Sequence, residues 1–245
     1  MTGRYDTPGD PGFLSMGALV ARVRASADAN HGRFLLGIAG PPGAGKTTLA
    51  LALRDALNEA ETLATGVRRP IAEIAPMDGY HLTNAMLRTK GTLARKGEPD
   101  TFDTAAYLDS LLRLRTTSLG NPVPWPTFDR AVDDPIPAGV VFARQRIVIT
   151  EGNYLLLDDF AGKKWSSVRG LLSQAWYLDA AREAIEERLF HRHVRGGRTP
   201  EAALAKVRQS DLRNAQLIAA TRHHADLILR GCQGGYQLVG GADAR

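Results

Sequence analysis

The sequence predicts an α/β fold: a three-layer αβα sandwich around a mainly parallel five-stranded sheet, with a helical lid. Three observations carry this. Short apolar runs that read as buried strands alternate with longer stretches of helical spacing, the pattern of a parallel sheet covered on both faces. The first such strand, Phe34–Ala39, runs into Gly40-Pro41-Pro42-Gly43-Ala44-Gly45-Lys46-Thr47, which fits G-x-x-x-x-G-K-[ST] and opens directly into an amphipathic helix. Two later strands end at acids, Asp78 and Glu151. Ligands of open parallel sheets lie beyond the carboxyl ends of the strands, so the motif and both acids are expected on one edge.

The elements follow in order. Residues 1–12, rich in Gly, Pro and Asp, read as a flexible tail, and residues 13–245 as a single domain. Residues 14–29 place Leu14, Ala18, Leu19 and Val23 at helical spacing. Residues 71–77 form the second strand, ending at Asp78, and residues 90–103 are polar and punctuated. Residues 104–114 read as a helix with Leu108, Leu111, Leu112 and Tyr107 toward the core. The stretch 121–128 holds too many prolines for a central strand and suggests an edge strand or extended loop. Strands follow at 146–152 and 174–179, then a helix over 181–194. Gly196 and Gly197 end it, after which Thr199 as N-cap and Pro200 in the first turn start another helix. A fifth strand spans residues 225–229.

Composition narrows the function. No apolar run approaches the roughly 20 residues that span a bilayer, and the N-terminus lacks a signal peptide's apolar core, so the expectation is a cytoplasmic protein without a membrane partner. The single cysteine, Cys232, excludes an internal disulfide and a cysteine-based zinc site. Net charge is +5, but the basic residues are dispersed, which suits a polyphosphate ligand better than nucleic acid.

The glycine-rich motif supplies successive backbone amides at a helix N-terminus, where the partial positive charge favours a phosphate. Residues 40–48, Gly40, Pro41, Pro42, Gly43, Ala44, Gly45, Lys46, Thr47 and Thr48, are therefore the expected site of a nucleoside triphosphate. Lys46 reaches for the β- and γ-phosphates and Thr47 for Mg²⁺. Phosphoryl transfer further needs a carboxylate to orient the nucleophile. Asp78 is the candidate base, the competing account being a cap on a helix starting near Leu82; Gly79 beside it allows close approach to a ligand. Glu151 is the candidate Mg²⁺-associated acid, with a structural salt bridge as its alternative. His81 suits either substrate contact or a structural hydrogen bond. His191 and His193 point to different helix faces and make no metal pair, and His223-His224 lacks a third ligand.

Arg188, Arg192 and Arg195 share one helix face, with Arg198 in the turn beyond. A lid over about residues 186–200 is expected, with Arg188 and Arg192 on the nucleotide and Arg192 at the transferring phosphate; pairing with Glu183, Glu186 and Glu187 on a solvated face is the alternative. No Asn-Lys pair occurs, which excludes the N-K-x-D motif of a GTP switch, and no L-S-G-G-Q-like signature points to a transporter ATPase. An ATP-binding regulatory or assembly protein without an acceptor stays open.

Several segments together resemble the phosphoribulokinase, uridine kinase and pantothenate kinase family of P-loop kinases, over about residues 34–230. Met77-Asp78-Gly79-Tyr80-His81 is similar to the stretch holding that family's catalytic aspartate. Residues 96–103, Lys-Gly-Glu-Pro-Asp-Thr-Phe-Asp, resemble K-G-x-P-[DE]-[ST]-[FY]-D of bacterial pantothenate kinases. Residues 126–130, Pro-Thr-Phe-Asp-Arg, resemble the substrate-side segment; Glu151-Gly152-Asn153-Tyr154 resembles the E-G-x-x strand end, and the arginine-rich helix the lid. The likeness is nearest the nucleoside-kinase-like or fructose-transport-system-kinase branch. The chain is shorter than typical pantothenate kinases, and Phe128-Asp129-Arg130 replaces the tyrosine-containing nucleoside segment of uridine kinases. The resemblance implies ATP, Mg²⁺ and transfer to a hydroxyl of a small polar metabolite such as a sugar, a nucleoside or a pantothenate-like molecule. It also implies substrate contacts from Tyr80, His81, Lys96, Asp129, Arg130, Tyr154 and Arg195, and a homodimer as the assembly.

Overall fold

The computed structural model of the chain describes residues 12–241. The tail expected over residues 1–12 thus lies outside the described residues, except for Gly12, whose carbonyl accepts from the Leu238 amide at 2.8 Å. In chain order the elements are β1 (Phe13–Leu14), α1 (Met16–Asp28), β2 (Phe34–Ala39), α2 (Lys46–Thr65), β3 (Ala72–Pro76), α3 (Asn84–Thr89) and α4 (Thr104–Thr116). The strands β4 (Val123–Asp129), β5 (Asp134–Phe142) and β6 (Ile147–Gly152) come next, then α5 (Ser166–Leu171) and β7 (Gln174–Asp179). The chain closes with α6 (Arg182–Arg195), α7 (Pro200–Lys206), α8 (Leu212–Ala219), β8 (Leu227–Cys232) and β9 (Gly235–Gly241).

The main sheet runs β1-β9-β8-β7-β2-β6-β3. Five consecutive members, β8, β7, β2, β6 and the edge strand β3, are parallel and coincide with the five strands read from the sequence. The sheet has seven strands rather than five, because β9 folds back antiparallel on β8 and β1 pairs antiparallel with β9. Neither addition has a readable period: β1 has two residues, and β9 carries three glycines and no fully buried residue.

All six residues of β2 are buried, which requires cover on both faces. Alternation sorts them: Phe34, Leu36 and Ile38 join Leu19, Val23, Leu49, Leu53 and Leu57 from α1 and α2, while Leu35 and Ala39 join Tyr107, Leu111, Trp165 and Tyr177 in the opposite layer. The three-layer sandwich follows. In α4 the buried stripe is Tyr107, Leu111 and Leu114, with Leu108 packed at its edge. Leu112, expected inside, is exposed; the Tyr107 hydroxyl, 2.7 Å from Thr150 Oγ1, sets the helix rotation and turns Leu112 outward.

The proline-rich stretch becomes β4, paired only with β5 in a separate antiparallel hairpin with a register shift between Trp125 and Thr127. Trp125 anchors that hairpin: it is fully buried and donates from Nε1 to the Pro76 carbonyl at 3.0 Å. Thr199 accepts from the Ala202 amide at 3.3 Å and Pro200 opens α7, as the sequence predicts. A π-helical turn, Val207–Asp211, joins α7 to α8.

Candidate active site

The phosphate loop links the end of β2 to α2. Its turn closes through the Ala44 amide on the Pro41 carbonyl, 3.2 Å. Gly45 stands at φ 100°, a left-handed conformation that a side chain would strain, and caps α2 without any side-chain hydrogen bond. The first amides of α2 are thus left to an anion rather than to a capping oxygen.

Lys46 is buried at the start of α2. Its ammonium donates to the Pro41 carbonyl at 3.0 Å and to Asn153 Oδ1 at 2.7 Å. Burial pushes its pKa down to about 8, against the attraction of Glu151 and Asp78 and with the help of Arg192. Thr47 Oγ1 donates to Glu151 Oε1 at 3.1 Å. Burial raises the Glu151 carboxyl above the usual range, with Lys46 opposing and Asp78 adding to the rise. The hydroxyl of Thr47 and the carboxylate of Glu151 form a pair of hard oxygen donors, the chemistry that Mg²⁺ takes. Among the described residues no group of three or more His, Cys, Asp or Glu could hold a metal ion. The pair therefore fits an ion that draws its remaining ligands from phosphate and water.

Asp78 follows β3 on a 3₁₀ turn, Met77–Tyr80. It does not cap the next helix: Thr83 does, accepting from the Met86 amide at 3.2 Å. Its carboxylate lies 3.6 Å from Arg130 Nη2. Gly79 serves another partner than the sequence suggests. A Cβ there would sit 2.1 Å from the Pro126 carbonyl oxygen, so the close approach is to β4, not to a ligand.

His81 Nδ1 lies 2.8 Å from the Asp78 carbonyl, and its ring packs at a tilt against both Phe102 and Phe128, centroids 4.0 and 4.8 Å away. Burial lowers its pKa, with Asp78 opposing, which favours the neutral ring. Tyr80 instead lies in the core, 5.1 Å from both Tyr107 and Trp125. Tyr154 is fully buried and donates to the Gly97 carbonyl at 2.6 Å, which pins the loop before α4.

The remaining expected contacts hold loops together. Lys96 donates to Asn84 Oδ1 at 2.8 Å and to the Asp133 carbonyl, lies 3.5 Å from Asp134 Oδ1, and sits 5.1 Å above the Phe128 ring. Asp129 accepts from the Ala131 amide at 2.7 Å and so shapes the hairpin turn that presents Arg130.

On α6, Arg188 donates to the Gly43 carbonyl at 3.1 Å, fastening the helix to the phosphate loop. Arg192 is exposed as a residue, yet desolvation lowers the pKa of its guanidinium, with Asp211 and Asp78 opposing and Arg130 adding to the effect. Arg195 turns back along its own helix to the His191 carbonyl at 3.3 Å and is not brought to the loop. None of the three arginines pairs with Glu183, Glu186 or Glu187; Glu186 lies instead 3.6 Å from Arg208. The solvated ion-pair face weighed as the alternative to a lid is therefore not formed. His193 packs inward, its Nε2 2.6 Å from Asp211 Oδ2 on the π-helical turn. Asn153 is the one group at Lys46 that the sequence does not single out, since its role appears only in the 2.7 Å contact.

No family model matches the chain. Curated relatives do. The "Putative uridine kinase C227.14" of Schizosaccharomyces pombe is 32% identical over 205 residues, spanning 81% of this chain and 83% of that protein. The "Pantothenate kinase" of Chelativorans sp. is 30% identical, spanning 89% of this chain and 78% of that one. Among solved structures, the "putative fructose transport system kinase" from Silicibacter sp. TM1040 superposes with a TM-score of 0.76 at 36% identity, over 88% of this chain and 98% of that chain. Fold, loop and sequence agree: the chain belongs to the P-loop kinase family that includes the uridine and pantothenate kinases.

Proposed function

We propose that the protein is an ATP-dependent kinase that transfers the γ-phosphoryl group to a hydroxyl of a small polar metabolite, of the sugar, nucleoside or pantothenate-like class. One observation supports this above the rest. Lys46, bonded to Asn153 at 2.7 Å, and Thr47, bonded to Glu151 at 3.1 Å, join the phosphate loop to the end of β6, and the charges of Glu151 and Asp78 both favour the cationic form of the buried Lys46. A regulatory ATPase without an acceptor has no use for Asp78 as a base.

The acceptor oxygen bonds to the γ-phosphorus as the bond to the bridging oxygen of ADP breaks, and Asp78 takes the acceptor's proton. Little covalent work falls to the protein, so positioning and charge stabilisation dominate. Lys46 and the amides of α2 hold the transferred group's oxygens, and Arg188 and Arg192 close over them. Thr47, with Glu151 beside it, would hold Mg²⁺, which would supply charge neutralisation on the phosphates. Arg130 holds the Asp78 carboxylate on the acceptor side, and His81 lines that side as a neutral ring against two phenylalanines.

Thermal shift with a non-hydrolysable ATP analogue and Mg²⁺, against fructose, ribose, uridine and pantothenate in turn, identifies the acceptor class through linked stabilisation. Asp78→Asn then loses acceptor-dependent ADP release by about 10²- to 10⁴-fold while binding the analogue as before. Unchanged turnover in that variant refutes the base.

A further inference from the structure

We infer that Asn153 is a positioning residue for Lys46, and that it governs the rate of phosphoryl transfer rather than the affinity for nucleotide. The inference rests on the kinase reading above. An ammonium has three protons and no acceptor capacity. In Lys46 one proton goes to the Pro41 carbonyl at 3.0 Å and one to Asn153 Oδ1 at 2.7 Å. A single donor remains, and its direction is set by the other two.

The Asn153 side chain has only one usable orientation. Lysine is a pure donor, so the amide oxygen must face Nζ, and the Nδ2 end then points away carrying two donors. The backbone beneath is equally constrained. A Cβ on Gly152 would stand 2.6 Å from Met77 Cβ, so the end of β6 lies hard against the residue that precedes Asp78. On the other side Tyr154 is fully buried and tied through its hydroxyl to Gly97 at 2.6 Å. Asn153 is thus held between two anchored neighbours, the preorganisation that aiming a charge at a transition state requires.

An aimed proton matters most to the group in flight. The loop amides and Lys46's charge still attract the triphosphate when Asn153 is gone, but Lys46 loses its fixed direction. The experiment uses the full chain and measures intrinsic ATP hydrolysis as well as acceptor-dependent ADP release. Asn153→Ala should lower kcat for both by about 10- to 100-fold, as expected for a charge-assisted hydrogen bond, while KM for ATP moves less than about threefold. Asn153→Asp restores an oxygen acceptor at the same reach and should recover most of the lost kcat. Because it places an anion beside the phosphates, its KM for ATP should rise. A raised KM with unchanged kcat in the Ala variant overturns the inference, and so does an Asp variant no faster than Ala. Binding of the non-hydrolysable ATP analogue verifies that each variant is folded. The two readings fail separately: Asp78→Asn tests only acceptor-dependent release, whereas Asn153→Ala must also slow hydrolysis by water.

Discussion

Replacing Gly79 with alanine tests how the fold sets the candidate base. The added Cβ would lie 2.1 Å from the Pro126 carbonyl oxygen, 2.5 Å from its carbon and 3.0 Å from the Thr127 nitrogen. All three are backbone atoms, so no rotamer change relieves the overlap. Close carbon–oxygen contacts in proteins lie near about 3.3 Å, so hairpin and 3₁₀ turn must separate by roughly 1 Å. Such a shift strains the Trp125 Nε1 bond to Pro76, now 3.0 Å, and the ring packing of Trp125 against Tyr80 at 5.1 Å. Overpacking of this kind costs about 1–3 kcal/mol, and a lost hydrogen bond about 1 kcal/mol more, so about 2–4 kcal/mol is expected. Urea unfolding measures it. Gly170→Ala is the matched control: it lies in α5 with nothing near its added Cβ, and should be neutral or stabilising by up to about 1 kcal/mol. Because Asp78 rides on the displaced turn, acceptor-dependent turnover should fall while binding of the ATP analogue persists. A Gly79→Ala protein with the wild-type urea midpoint and wild-type turnover would refute the reasoning.

Two further outcomes are expected. Lys46 is depressed to about 8 from 10.5 and works as the cation, so its competent form is present below that pH and lost above it. The pH profile of kcat/KM for ATP, which reports the free enzyme, should therefore descend above pH 8; a flat profile to pH 9.5 contradicts the assignment. Leu189 is fully buried on α6, and its Cγ would lie 3.2 Å from a Cβ on Gly43, so it seats α6 on the phosphate loop. Leu189→Ala should cost about 2–5 kcal/mol and raise KM for ATP, whereas Leu57→Ala, equally buried on α2, should lower stability alone. Equal KM values in the two variants would count against the seat.

The central strands β2 and β6 are legible in the sequence because burial on both faces favours apolar runs, and the phosphate loop because its chemistry demands adjacent residues. What escapes local reading is decided by contacts distant in sequence. Tyr80 and Tyr154 carry polar tips that suggest ligand contacts, yet Trp125 and Gly97 claim them for the core and a loop anchor. Lys96 and Asp129 match a family segment but spend their charges on the hairpin. Asn153 hides for the opposite reason: an amide two residues past an acid has no pattern until β6 is laid beside β2 and Lys46 is found 2.7 Å away.

The two halves of the site are also built by different forces. Glu151 and Asn153 stand at the end of β6, and Lys46 and Thr47 open α2 beyond the loop from β2; the two strands are in full parallel register from Phe34–Ile147 to Ala39–Gly152, so sheet hydrogen bonds and burial hold the phosphate side of the site. The proposed acceptor side lies on the β4–β5 hairpin, which packs on the rest of the molecule through the buried Val123, Trp125 and Phe142, through Pro126 against Gly79, and through Lys96 and Asn84 gripping Asp133 and Asp134. On that reading a change in the turn between Asp129 and Asp134 would reshape the acceptor wall without touching a main-sheet bond. Relatives named for uridine and for pantothenate belong to this chain's sequence family, and a solved structure named for a fructose transport system shares its fold. On the proposed reading, a donor half held by the sheet and an acceptor half carried on a separate hairpin let one fold serve different acceptors.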